Sequence, residues 1–276
     1  MPSGSGIFEM EIKNKVAIVT GGIGGIGLVT VQHLIRSKIQ FVAILDLPKP
    51  DSEAAVVNLS KLNKEFGEGS YQYYSCDLTN IQEFRAIYEK VIALKKYVDI
   101  LINAAGILND NAMNLCINVN FTAVVNSSMI AIEHMRKDKG GKGGVVVNVA
   151  SIAGIVDFPY NPIYTATKHA VVAFARSLKP HNKTIGVRVV CICPGVTDTG
   201  LVAFDHLYKS LFDFIDPKIV DDFRDKVCCQ SPDNVASAIT EIILKGKEGA
   251  IWVVENDDPP YAVRGMLNAK ELRVDL

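Results

Sequence analysis

Seven short runs of mostly apolar residues recur along this chain, and each but the last is followed by a stretch with helical spacing. The runs are "KVAIVT" (15–20), "FVAILD" (41–46), "YQYYSCD" (71–77), "DILINAAG" (99–106), "GVVVNVAS" (144–151), "GVRVVCICPG" (186–195) and "AIWVVEN" (250–256). Most are apolar without alternation, the pattern of strands covered on both faces. Helical spacing fills 25–37, 52–66, 81–97, 112–137, 163–178 and 234–244. Strand and helix in turn imply right-handed βαβ units, and so an α/β fold with a doubly wound parallel sheet of about seven strands and helices on both faces. A hydrophobic content of 49% in 276 residues supplies the core for one such domain.

The expected organisation is a flexible N-terminal segment (1–11), one domain (12–256) with an insert at 200–232, and a C-terminal tail (257–276). The insert interrupts the strand–helix rhythm with Phe204, Leu207, Tyr208, Leu211, Phe212 and Phe214. Helical spacing makes core the plainer reading of these side chains, and a substrate lid or pocket the other. The tail carries Pro259, Pro260 and Tyr261, with the active site or a neighbouring subunit as candidate resting places.

A net charge of −1 with no dense run of Lys or Arg leaves no footprint for nucleic acid, so small molecules are the expected partners. The start "MPSGSGIFEMEI" lacks the basic and apolar regions of a signal peptide, and no apolar run reaches ~18 residues, which points to the cytoplasm and away from membranes. Six cysteines lack paired zinc spacing and read as reduced, mostly buried thiols, with no metal site.

"TGGIGGIG" (20–27) lies between the first strand and the first helix. There, unpaired N–H groups and the positive end of the helix dipole stabilise a pyrophosphate, and glycine lets it approach. Asp46 ends the second strand nineteen residues after Gly27, near the spacing at which an acid holds the ribose hydroxyls of NAD and repels a 2′-phosphate. Lys49 nearby weighs the other way. The strand–glycine–helix–strand–acid order makes this a Rossmann-type domain.

Farther along, "YTATK" puts Tyr164 and Lys168 on one helix face, where the ammonium is expected to depress the phenol's pKa. Ser151 closes the fifth strand at the ligand-facing edge, ready to bind a substrate oxygen. Together these groups suit proton transfer at an alcohol carbon that exchanges a hydride.

The chain resembles the short-chain dehydrogenase/reductase family through seven motifs in order, spanning residues 12 to about 256. They are "TGGIGGIG", "CDLT", "NAAG", "INVN", the strand-end Ser151, "YTATK" and "PGVTDT". Within the family, "DILINAAGILND", "INVNFTAVVNSSMIAI" and "GAIWVVEN" are most similar to insect alcohol dehydrogenase, and "GVRVVCICPG" to hydroxyprostaglandin dehydrogenase.

The resemblance implies an NAD-dependent alcohol/ketone oxidoreductase without metal. Gly21 would make the turn, Gly25 and Ile26 meet the pyrophosphate, and Gly27 let the helix pack, leaving Gly22 and Gly24 surplus and Gly22→Ala tolerated. Asp77 and Leu78 would contact adenine; Asn103, Ala104 and Gly106 would flank the cofactor, and Pro194, Val196 and Thr199 would grip the nicotinamide end. Tyr164 would move the proton, with Lys168 lowering its pKa and holding the ribose. Ser151 would orient the substrate oxygen, and Asn120 hold a water linking Lys168 to solvent. The helices at 112–137 and 163–178 would be the pair that forms a homodimer, within a dimer or tetramer. An NADP-linked carbonyl reductase and a non-catalytic nucleotide-binding relative remain the alternatives.

Overall fold

In this computed structural model, which describes residues 10–224 and 226–264, β1 (Val16–Thr20) is buried at all five positions. Val16 and Ile18 enter one apolar cluster while Ala17 and Val19 enter another, so the strand is covered on both faces. β2 (Phe41–Asp46), β3 (Tyr71–Ser75), β4 (Ile100–Asn103), β5 (Gly144–Val149), β6 (Val187–Pro194) and β7 (Ile251–Val254) follow the predicted runs, with ends trimmed. The sheet order is β3-β2-β1-β4-β5-β6-β7, all parallel, with a short β8 (Tyr261–Ala262) beyond β7.

One face carries α1 (Gly25–Arg36), α2 (Glu53–Phe66) and α10 (Pro232–Lys245), through side chains such as Val31, Leu62 and Ile239. The other carries α3 (Ile81–Lys95), α5 (Ala123–Met135) and α6 (Pro162–Leu178), through Phe84, Met135 and Val171. The remaining helices are α4 (Met113–Ile117), the short α7 (Asn182–Ile185), and α8 (Phe204–Ser210) and α9 (Lys218–Arg224) in the insert. Buried Arg188 on β6 donates to the carbonyls of Ile243 and Gly246, which the end of α10 leaves without helical partners.

Two expectations change. The single helix at 112–137 is α4 and α5 joined by a π-helical turn at Asn118–Thr122. The stretch Asp110–Met135 is long and apolar enough to cross a membrane by length and composition alone, and half of its most apolar part is buried inside this fold. The tail adds an eighth strand, β8 (Tyr261–Ala262), antiparallel to β7. As far as Arg264 it therefore runs back toward the amino ends of the strands, and the Arg264 carbonyl meets Arg176 of α6 at 3.1 Å instead of covering the carboxyl-end edge. Residues 1–9 of the expected flexible segment and 265–276 of the tail lie outside the described residues.

Candidate active site

β1 has β2 on one side and β4 on the other, so the strand order reverses there and a crevice opens at the carboxyl ends. The glycine loop forms its floor. Gly21 has φ +66°, and a Cβ on it would lie 2.7 Å from Ala105 Cα; one on Gly27 would lie 2.1 Å from the Gly21 carbonyl oxygen. Gly25 has φ +42° and faces Thr199, whose Cγ2 would be 3.1 Å from an added Cβ. Gly24 is open, but Gly22 is not surplus: its Cβ would meet Ile44 Cγ2 at 2.8 Å and the Val19 carbonyl oxygen at 3.1 Å. Its missing side chain makes room for the core under the loop. Gly24 caps α1 without a side-chain hydrogen bond and no acid stands in the first turn, which leaves the helix start open to an anion.

The crevice is lined by Gly21, Gly25, Ile26, Asp46, Asp77, Leu78, Ala104, Gly106 and Thr199, among others. The Asp46 carboxylate accepts the N–H groups of Ile23 (3.1 Å) and Leu47 (2.8 Å), so it also holds the glycine loop. Asp77 accepts both the N–H and the hydroxyl of Thr79 (2.9 and 2.7 Å). Asn103 is not brought to the crevice: its side chain is buried among Ser127, Ser128 and Asn148 and ties β4 to α5 and β5. A glycine floor that a Cβ would fill, an uncapped helix start and an acid at the end of β2 fit a dinucleotide.

The crevice continues into a second pocket through Ile26, Ala104, Gly106, Thr199 and Leu201, which line both. Ser151, Tyr164, Lys168, Pro194 and Val196 line this pocket. Lys168 Nζ donates to the Val149 carbonyl (3.0 Å) and lies 5.5 Å from the centre of the Tyr164 ring. Ser151 Oγ accepts the Ala153 N–H (3.1 Å), holding the turn after β5. Asn120, in the π-helical turn, grips Ile107 with both ends of its amide (2.8 Å each) and donates to Thr167 Oγ1 (3.3 Å). A Cβ on Gly106 would stand 3.4 Å from Asn120 Oδ1 and 3.5 Å from Lys168 Nζ, so these three meet at one point.

Burial decides the electrostatics. Tyr164 and Lys168 are 7% and 5% exposed. Desolvation pushes the phenol up to about 12, with a hydrogen bond from Ser151 pulling the other way, and lowers the ammonium to about 8. The expected depression of the phenol by Lys168 is therefore absent in the protein alone, because Lys168 gives up its own charge first.

Of the insert residues, Leu207 and Leu211 are buried in a cluster with Tyr164, and Leu207 also lines the pocket. Tyr208 packs against that cluster, Phe212 and Phe214 stack at 5.2 Å with Phe214 76% exposed, and the Phe204 side chain lies outside the described residues. Sequence reasoning missed Phe158 and Phe223, which line the pocket and pack edge to face at 5.3 Å. It also missed Asp110, whose buried carboxylate meets the start of α6. These residues are far apart in the chain and carry no local motif. Among the described residues, no three His, Cys, Asp or Glu side chains are grouped to hold a metal.

Fold and crevice together define a Rossmann-type dinucleotide-binding protein. The short chain dehydrogenase family profile matches residues 15–206, and the chain belongs to that family of oxidoreductases, which use nicotinamide dinucleotides. The crystal structure of gox2181 superposes with a TM-score of 0.74 at 25% identity, covering 88% of this chain and 95% of that one. Levodione reductase superposes with a TM-score of 0.74 at 20% identity over 88% and 97%, a likeness of fold.

Two outcomes follow from this geometry. Gly24→Ala leaves thermal stability within a degree or so, whereas Gly22→Ala costs about 1–3 kcal/mol by overpacking and lowers Tm by several degrees in calorimetry. In an NMR titration of Nζ-labelled lysines without nucleotide, one resonance titrates near pH 8 and is lost in Lys168→Met. Because the unfolded chain binds more protons between that pKa and the ordinary ~10.5, Lys168 makes stability rise with pH across this window; the variant lacks that increment.

Proposed function

We propose that the protein is an NAD-dependent dehydrogenase that interconverts a medium-sized, apolar secondary alcohol and its ketone, with Tyr164 as the acid/base. The observation that carries this reading is the meeting of Ser151, Tyr164 and Lys168 in one pocket that opens into the glycine crevice. The remaining wall, including Leu108, Ile152, Phe158, Leu201, Leu207 and Phe223, offers hydrocarbon to the substrate.

NAD would be held by Gly21, Gly25, Ile26 and Gly27 at its pyrophosphate and by Asp46 at its ribose. Asp77 and Leu78 would take its adenine; Ala104, Gly106, Pro194, Val196 and Thr199 would flank the nicotinamide end. Asn103 would act only by supporting the backbone of that floor. The cofactor supplies the hydride acceptor. Ser151 orients the hydroxyl, Tyr164 holds and moves its proton, Lys168 holds the ribose and biases the phenol by its charge, and Asn120 fixes the chain at Ile107 opposite Lys168. NAD over NADP is supported by the crevice itself: its lining includes Asp46 and Asp77 and, among the described residues, no Lys or Arg, with Lys49 exposed outside it. Exposed Met113, Leu115 and Met129 on α4 and α5 support a homodimer through that side.

A panel of secondary alcohols, cyclohexanol and octan-2-ol among them, assayed with NAD and NADP tests the activity. Tyr164→Phe is expected to lower kcat by about 10²–10⁴, and wild-type turnover in that variant would falsify the assignment. Asp46→Ala disturbs the loop for both cofactors, so the ratio of affinities is the readout. It should move at least about ten-fold toward NADP in a fluorescence titration, and an unmoved ratio would remove Asp46 from the selectivity.

A further inference from the structure

Tyr164 is the third residue of α6, at a helix start with no local side-chain cap. The preceding Asn161 could have supplied one. Its amide is instead turned to the insert, donating to Ser210 Oγ at 3.1 Å. Pro162 has no N–H, and the next two donors, Ile163 and Tyr164, are taken by Asp110 from another part of the chain, at 2.8 and 3.1 Å. Asp110 is 0% exposed and has no ion pair among the described residues. A buried carboxylate is a costly cap where a local Ser or Asn would satisfy the same groups. What it adds is a tether across the fold.

The tether continues to the insert. Asn111, the next residue, donates to the Lys209 and Leu211 carbonyls at 2.9 and 2.8 Å. Residues 209–211 are thus held by Asn111 and Asn161, the two residues flanking the Asp110 anchorage of Tyr164. Leu207 and Leu211, beside that latch, pack in the same apolar cluster as Tyr164. The inner wall of the pocket and the phenol take their positions from one short loop.

We propose that Asp110 is a positioning residue for Tyr164 and that, with Asn111, it couples the seating of the insert to the orientation of the phenol. The proposal rests on Tyr164 being the acid/base. Substrate that draws the insert down would bear, through residues 209–211 and this loop, on the start of α6.

The test compares Asp110→Asn, Asp110→Ala and Asn111→Ala with Arg188→Met, a variant destabilised far from the site. Each is assayed well below its Tm with NAD and the fastest alcohol of the panel, and each is examined by NMR of Cζ-labelled tyrosine, with the Tyr164 signal identified by its loss in Tyr164→Phe. Both Asp110 variants should lower kcat about ten-fold or more, with NAD affinity within about two-fold. Their Tyr164 signal should shift while that of Arg188→Met does not. Asn111→Ala should raise the alcohol KM about five-fold, since saturating substrate can still seat the insert. Asp110 variants that lose only Tm and keep wild-type kcat and phenol signal would make Asp110 a plain helix cap and overturn the proposal. If neither folds, the Tyr164 signal of Asn111→Ala decides: a shift supports the coupling and an unmoved signal overturns it. Full turnover in Tyr164→Phe would instead overturn the acid/base assignment beneath it.

Discussion

The site depends on how closely two pieces of backbone approach at the carboxyl ends of β1 and β4. Gly21 lies so near Ala105 that a Cβ would intrude to 2.7 Å, and the Ala105 N–H donates to Thr20 Oγ1 at 3.3 Å. That seam closes the floor of the crevice while the chain beyond β1 and the chain beyond β4 splay to opposite faces of the sheet. The open N–H groups of α1 rise on one side of it, and Asn120 and Lys168 converge on Gly106 on the other. A side chain at Gly21 would separate the strands at the point where nucleotide and pocket have to meet.

The nucleotide half was legible in the sequence because its physics is local. Continuous apolar runs report strands buried on both faces, and the glycine loop and Asp46 sit directly at the ends of two of them. Backbone N–H groups and short side chains need nothing from distant parts of the chain. The exceptions were Gly22, read as surplus to the glycine motif, and Asn103, read as flanking the cofactor. Both turn inward: Gly22 makes room for Ile44, and the Asn103 amide joins three polar residues of β5 and α5. Sequence position did not say which way either residue faced.

The pocket half was legible in Ser151, Tyr164, Lys168, Pro194, Val196 and Thr199, with Leu207 open between core and pocket. Phe158 and Phe223 come from separate segments and meet only after the insert has folded onto the start of α6. Asp110 left no signal because its partners are main-chain N–H groups, which every sequence has. The antiparallel turn of the tail onto β7 was hidden for a similar reason: β8 is a two-residue strand, too short for any periodicity.

Burial also gives the Tyr164–Lys168 pair a property that charge counting missed. On a solvated helix face the ammonium would keep its proton and pull the phenol down. Here the apolar wall that would receive the substrate removes water from both groups, and each moves toward its neutral form. Of the two, the lysine, lowered to about 8, gives up its proton first as the pH rises. A positive charge entering the crevice would therefore act mainly on Lys168, favouring its neutral form, while a negative charge developing on a substrate oxygen beside Ser151 would favour the ammonium. The same desolvation that biases both groups toward their neutral forms makes any charge appearing in the pocket strongly felt. The site responds most where charge develops and least in the resting protein, and that response requires the pocket to stay dry. Seating of the insert over the pocket and the electrostatics of the pair are in this sense one property of the fold.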